Sequence, residues 1–237
     1  MSSPSENIWK TDVDKDLRSA ARAWLSKANV PAGVQQWVNF HLSPIAQMHP
    51  TRWGNLGSAW RSLIIQSSYA YAYVDEHLRN HWNWEPGVWT DLKNPLMRLA
   101  ISSHQYLNQL AAFSGALVAA GEIRRAVEGK TVRLLRENLG DEILHFARLQ
   151  APNLNVDIPE KCRIREWQAS DAATIVLNAG WLLIACASAL LPAEEWRQFF
   201  SRLPETVEKA WNQYDFSEED FQLAWECLQA IFRVINK

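Results

Sequence analysis

Two pairs of side chains in this chain have the types and spacing of metal chemistry. Glu142-x-x-His145 puts a carboxylate and an imidazole on one helical face, which is half of a di-iron site. A full site needs a second Glu-x-x-His and two more carboxylates on facing helices. No other glutamate here has a histidine three residues on, and Asp75 and Glu76 are followed at that spacing by Leu78 and Arg79. His77-x-x-x-His81 sets two imidazoles one turn apart, the ligand spacing of a helical zinc motif. Such a zinc protease also needs a glutamate beside the first histidine, where this chain has Leu78, and no obvious third ligand follows, although Glu85 could serve. The first pair therefore reads as an acidic first turn with a satisfied histidine and the second as a partly exposed helix end, and no metal or cofactor is expected. The alternative is a helical-bundle metal- or ligand-binding enzyme that uses Glu142/His145 and His77/His81.

Nucleophilic and phosphate chemistry have less support. There is no Gly-x-Ser-x-Gly elbow, and Gly54-Asn-Leu-Gly57 lacks the Lys-Ser/Thr of a phosphate loop. Cys162, Cys186 and Cys227 are far apart and form no CxxC, which points to a reducing compartment and not to a disulfide framework. No catalytic residue is expected.

Charge is more informative. Between Arg124 and Arg136 the basic residues Arg124, Arg125, Lys130, Arg133 and Arg136 face a single acid, Glu128. Between Glu205 and Glu226 seven acids face Lys209 alone. The two stretches are either solvated helix faces that pair with each other or docking patches of opposite sign, which set partner choice and association rate. The net charge of −2 and pI near 6.3 give no global attraction to nucleic acid. Thirteen tryptophans are the compositional outlier, and Trp82, Trp84 and Trp89 cluster in HWNWEPGVW. Such rings plug the end of a helical bundle or serve as interface anchors.

These groups must be held by helices. At 237 residues one large domain is possible. Helical periodicity runs almost throughout, with no alternating β-branched runs and no Asn-Gly hairpins. The pattern predicts an all-α, irregular multi-helix bundle of about eight or nine helices. The expected helices run from Asp14 or Lys15 to Ala28, Val34 to Leu42, Leu56 to Arg79, Leu96 to Ala120, Ile123 to Asn138 and Asp141 to Gln150. The last third adds Asp171–Leu190, Pro192–Arg202, Pro204–Gln213 and Ser217–Asn236. Ser43 to Asn55 reads as a loop, and the chain turns at Gly121 and breaks at Gly140. Asp171 and Ser217 are the expected N-caps, with Pro192 and Pro204 at first helical positions. One all-helical domain over 1–237 is expected, with subdomains 1–150 and 171–237 joined by the 151–170 linker as the possible division. Ala172 to Leu191 is charge-free and near the minimum length of a membrane span, but Thr174, Asn178, Gly180, Cys186 and Ser188 make it a buried helix instead. With no apolar signal core near Met1 and a mean hydropathy of −0.25, a soluble, cytosolic protein is expected.

Two blocks carry a resemblance. The first is Gly115-Ala-Leu, Gly121, Ile123-Arg124-Arg125-x-Val127 and Leu139-Gly140. The second is Ala179-Gly180-Trp181-Leu182-Leu183, then Leu191-Pro192-Ala193-Glu194-Glu195-Trp196 and Arg202-Leu203-Pro204. In that order and spacing they resemble the K component of the type III secretion sorting platform, the SctK/YscK/OrgA/MxiK family. The family has no catalytic signature to carry over. The resemblance implies a cytosolic adaptor at the cytoplasmic face of the inner membrane, peripheral to it through partners only. Its partners would be the cytoplasmic domain of an SctD-like inner-membrane ring protein and an SctQ-like C-ring pod protein. Arg124, Arg125, Lys130, Arg133, Trp82, Trp84 and Trp89 are the candidate partner-binding residues.

Overall fold

The computed structural model describes residues 31–42, 47–53, 62–64, 66–67, 70–71, 73–74 and 93–235. The fold is all-α, and no strand occurs among the described residues. The expected Asp14–Ala28 helix, His77, His81, Trp82, Trp84 and Trp89 lie outside those residues, as does most of the expected Leu56–Arg79 helix.

The chain divides into two compact units, Met1–Pro44 and Ile45–Lys237. In the first, α1 runs Ala32–Leu42, starting two residues before the expected Val34. Pro31 opens it without needing an N–H, and its carbonyl accepts the Val34 and Gln35 N–H groups. Trp37 and Phe40 both meet the His41 ring edge-on, at 5.4 and 5.2 Å.

The second unit contains α2 (Pro95–Ala100), α3 (His104–Val118), α4 (Ala120–Arg125) and α5 (Gly129–His145). The expected Leu96–Ala120 helix is thus two helices. Its apolar pattern is continuous, but Ser102 and Ser103 offer the backbone other partners. The Ser102 hydroxyl donates to the Arg98 carbonyl at 2.7 Å, and Ser103 Oγ accepts the Tyr106 N–H as the N-cap of α3. The expected turn at Gly121 is also corrected. Gly121 lies inside α4, and the chain leaves the helix at Ala126–Glu128 instead. Ile123 and Leu135 are buried, whereas Val127 falls in that connection and is 81% exposed. Gly140 breaks α5 as expected, with φ at 79°, a value that favours glycine. Phe146–Gln150 then form one π-helical turn.

Residues 151–171 wrap the surface in three short 3-10 turns, at Ala151–Asn153, Glu160–Cys162 and Ala169–Asp171. After them come α6 (Ala172–Ser188), α7 (Ala193–Phe200), α8 (Glu205–Trp211) and α9 (Glu218–Ile235). Asp171 stands at the N-cap of α6 but makes no capping hydrogen bond, so the expected cap is not formed. Pro192 and Pro204 occupy the position just before α7 and α8, where their fixed φ still preorganises the first turn. Ser217 does cap α9. Its Oγ accepts the Asp220 N–H, and the Asp220 carboxylate accepts the Ser217 N–H and hydroxyl, each at 2.8 Å, as a capping box.

The core is built on the crossing of α3 and α6. Every residue from Trp181 to Ser188 is buried, so this half of α6 is covered on all sides. Its other half is mixed, with Thr174, Leu177 and Asn178 exposed. The Ala169–Ser188 stretch is the one membrane-span candidate by length and composition among the described residues, and it serves as the central core helix. Gly115 and Gly180 let the two backbones meet. A Cβ on Gly180 would lie 2.7 Å from the Gly115 nitrogen and overlap the Ala111 carbonyl oxygen. One on Gly115 would overlap the Val176 carbonyl oxygen. α9 packs on both helices and buries Ala224, Cys227, Leu228 and Ile231.

Gln47–Trp53 was expected as loop. Pro50–Trp53 is a 3-10 turn, and the segment is latched onto the α7–α8 corner. The His49 N–H donates to the Ser201 carbonyl, Arg52 Nε donates to the Leu203 carbonyl at 2.7 Å, and the Arg52 guanidinium meets Glu208 at 2.6 Å. Met48, Trp53 and Tyr71 form a small core beside it, with Ile64 and Val74 against them.

Candidate docking site

The basic stretch read from the sequence becomes a corner where α4 hands over to α5. Arg124 and Arg125 project from the last turn of α4, and Lys130 and Arg133 from the first turns of α5, all exposed. Their base is fixed by Ile123, which is fully buried. Arg125 pairs with Glu122 one turn earlier at 2.6 Å. Arg136 reaches across the Gly140 break to Asp141 at 2.8 Å. Arg124 has no ion-pair or hydrogen-bond partner among the described residues. None of the ion pairs joins this corner to the acidic stretch Glu205–Glu226 among the described residues. Those acids engage Arg52, Lys161 and Lys209.

Beside the corner lies a groove of about 830 Å³. Phe113, Leu144, Phe146, Val234 and Ile235 give the apolar part of its lining, and Gln109 and Gln150 add polar amides. Phe113 and Phe146 meet edge to face at 5.0 Å, which sets the floor in the core. Arg124, Arg136 and Arg148 stand around it, with Asp141, Glu142 and His145 along one side. Arg148 also donates to the Ala126 carbonyl at 2.8 Å and so ties the α4–α5 connection to the π turn. Leu149 lines the groove and is 59% exposed.

Among the described residues, Arg124 is the partner-binding candidate that lines this groove. Arg125, Lys130 and Arg133 lie outside its lining. Glu142 and His145 come together there, both exposed. No three His, Cys, Asp or Glu side chains are arranged to hold a metal among the described residues. Sequence reasoning missed Arg148, Leu149 and the C-terminal end of α9. Their neighbourhood is made by a π turn and a contact with α9 that no local pattern encodes.

A second polar cluster, with the buried Arg202 at its centre, also went unread. Arg202 lies 3% exposed and donates to the Ala100 and Ser102 carbonyls, which the end of α2 leaves without helical partners. Burial lowers its proton affinity, while those carbonyls suit a cation. The His104 ring donates from Nε2 to the Gln47 carbonyl at 2.7 Å. His49 Nδ1 accepts from the Thr51 N–H and hydroxyl, so its proton sits on Nε2. Burial, then His104, then Arg52 push the His49 imidazole down to about 4. Burial and Arg202 lower His104 as well. This cluster ties the Gln47–Trp53 segment and the α7–α8 corner to the α2–α3 junction.

The three cysteines are free and buried. The neighbouring Cys162 thiol and burial push Cys186 far up, and burial pushes Cys227 up to about 12. None has the electropositive, exposed setting of a nucleophile.

Taken together, fold and site define an all-helical protein with a basic, apolar-floored groove on its surface and, among its described residues, no converged catalytic or metal-ligating set. The chain matches the family model of YOP proteins translocation protein K (YscK) over residues 74–236. It belongs to that family and is therefore a type III secretion protein. Both sequence blocks that carried the resemblance fall inside the matched region. No curated protein and no solved structure matches the chain.

Proposed function

We propose that this protein is a cytosolic adaptor of the type III secretion sorting platform. In this reading it links the cytoplasmic domain of the SctD-like inner-membrane ring protein to the SctQ-like pod protein, at the cytoplasmic face of the membrane. It acts by binding alone. Family membership supports the setting, and the observation that carries the mechanism is the rigidly based arginine pair. Arg124 and Arg125 are exposed on a short helix whose Ile123 is locked in the core. A guanidinium held this way suits planar, bidentate contacts with partner carboxylates.

The test is co-capture from a secreting bacterium with the wild-type chain and with an Arg124→Glu, Arg125→Glu variant. Wild type should bring down both the ring protein and the pod protein. The variant loses only the exposed pair to Glu122, worth about 0.3 kcal/mol, so its fold should survive. Its partner capture should fall severalfold. Failure of the wild type to capture either partner would end the adaptor reading. Unchanged capture by the variant would remove the arginine pair from it.

A further inference from the structure

We propose that the groove between α3, α5, the π turn and the end of α9 receives an acidic, amphipathic helix from a partner protein. This rests on the adaptor reading only in taking a protein as the occupant. Three features of the groove select that chemistry.

The walls are helix flanks and a π turn, and no strand edge is available among the described residues. Away from the last turn of α9, whose final carbonyls have no helical partner, helix flanks have already spent their backbone N–H and C=O groups internally. An extended peptide would find no ladder to join, and its own backbone groups would be buried unpaired. A helix brings its backbone satisfied and needs only side-chain complementarity.

Part of the lining is apolar. Phe113, Leu144, Phe146, Val234 and Ile235 present rings and branched side chains, and Leu149 stands exposed at the edge. Such a surface fits anchors spaced i, i+3/i+4, i+7 on one helix face. Val127, also exposed, lies next to Ala126, which Arg148 holds against the π turn.

The charge at the rim is the third feature. Arg124, Arg136 and Arg148 outnumber Asp141 and Glu142 in the lining, and Lys130 and Arg133 lie exposed on the same corner. Of the three arginines that line the groove, Arg136 already holds Asp141 and Arg148 holds a carbonyl, while Arg124 has no partner among the described residues. Carboxylates along one edge of an incoming helix complement this rim.

The probe is a fluorescently labelled, stapled helical peptide with leucines at i, i+3, i+7 and glutamates beside them. Its control carries lysine at every glutamate position. Binding to the full chain is read by fluorescence anisotropy. The glutamate peptide should bind at least about 10-fold more tightly than the lysine peptide. Leu149→Asp and Arg124→Glu should each weaken it by about 10-fold, because both side chains are exposed and neither variant disturbs the core. Equal binding of the two peptides, or wild-type affinity in both variants, would overturn the assignment. So would a dimer of the free chain that Leu149→Asp abolishes, since the groove would then belong to a second copy. The peptide assay needs no secretion partner, so its failure is separable from a failed co-capture.

Discussion

Gly115 and Gly180 meet backbone to backbone where α3 crosses α6, with no room for a methyl group between them. In the sequence they are 65 positions apart, one in each of the two blocks that mark the family. Each glycine costs its helix about 1 kcal/mol relative to alanine in intrinsic propensity. The close approach it permits lets two largely buried helices share one packed seam.

Gly180→Ala should therefore destabilise the protein despite improving helix propensity. The added carbon would strike the Ala111 carbonyl, and backbone cannot swing aside as a side chain can. A loss of about 3 kcal/mol or more is expected, read as a lowered denaturation midpoint. An alanine at Gly121, where a Cβ meets nothing within 4 Å, is the matched control and should be neutral or slightly stabilising. Equal stability of Gly180→Ala and the wild type would contradict the close crossing.

Acid should weaken the fold before carboxylates titrate. His49 binds a proton near 6.5 when unfolded but only near 4 in the folded chain. Between those values the unfolded state holds more protons, so stability falls as pH drops from about 6.5 toward 4. His104 is shifted in the same direction and adds to the loss. Protonating His49 Nδ1 would also forfeit its acceptor role toward Thr51. His49→Asn keeps an acceptor there without the titration. Denaturation midpoints measured at pH 7 and pH 5 should differ less for this variant than for the wild type.

Asp220 joins the start of α9 to the surface segment that precedes α6. Burial works to raise its carboxyl, but Lys161, at 2.8 Å, and the Ser217 N–H and hydroxyl outweigh it and hold the group below the usual range. Ser217→Ala should cost about 1 kcal/mol by removing the cap. Asp220→Ala should cost more, because it also removes the Lys161 ion pair and leaves Lys161 only the Asp215 carbonyl. Hydrogen exchange should then rise around Glu160–Cys162 in Asp220→Ala and stay near wild type in Ser217→Ala. Equal exchange in both variants would place the latch elsewhere.

The thiols should be slow to react in the native protein. Cys162, Cys186 and Cys227 are at most 2% exposed, and the raised Cys186 and Cys227 hold little thiolate at neutral pH. A chromogenic disulfide reagent should label them only as fast as the structure opens, with all three appearing on addition of denaturant. Rapid labelling without denaturant would contradict their burial.

What the sequence determined by itself was local. Periodicity marked the helices of the last third to within about two residues, because each buries one stripe or all of its surface. Gly140 and Ser217 acted as predicted, since a positive φ and a capping box are settled within four residues. Where two local preferences compete, sequence reading chose the weaker. Apolar continuity through Leu99–Ile101 hid the new helix that Ser103 starts, and Gly121 looked like a turn although the helix runs through it. Only the tertiary structure decided the rest. The Gly115–Gly180 seam, the carbonyls that Arg202 satisfies, the burial of His49 and the joining of Arg124 to Arg148 and Ile235 all depend on contacts between distant segments. Such contacts are set by how whole helices pack, and a residue's type and its near neighbours carry no record of which distant surface it will meet.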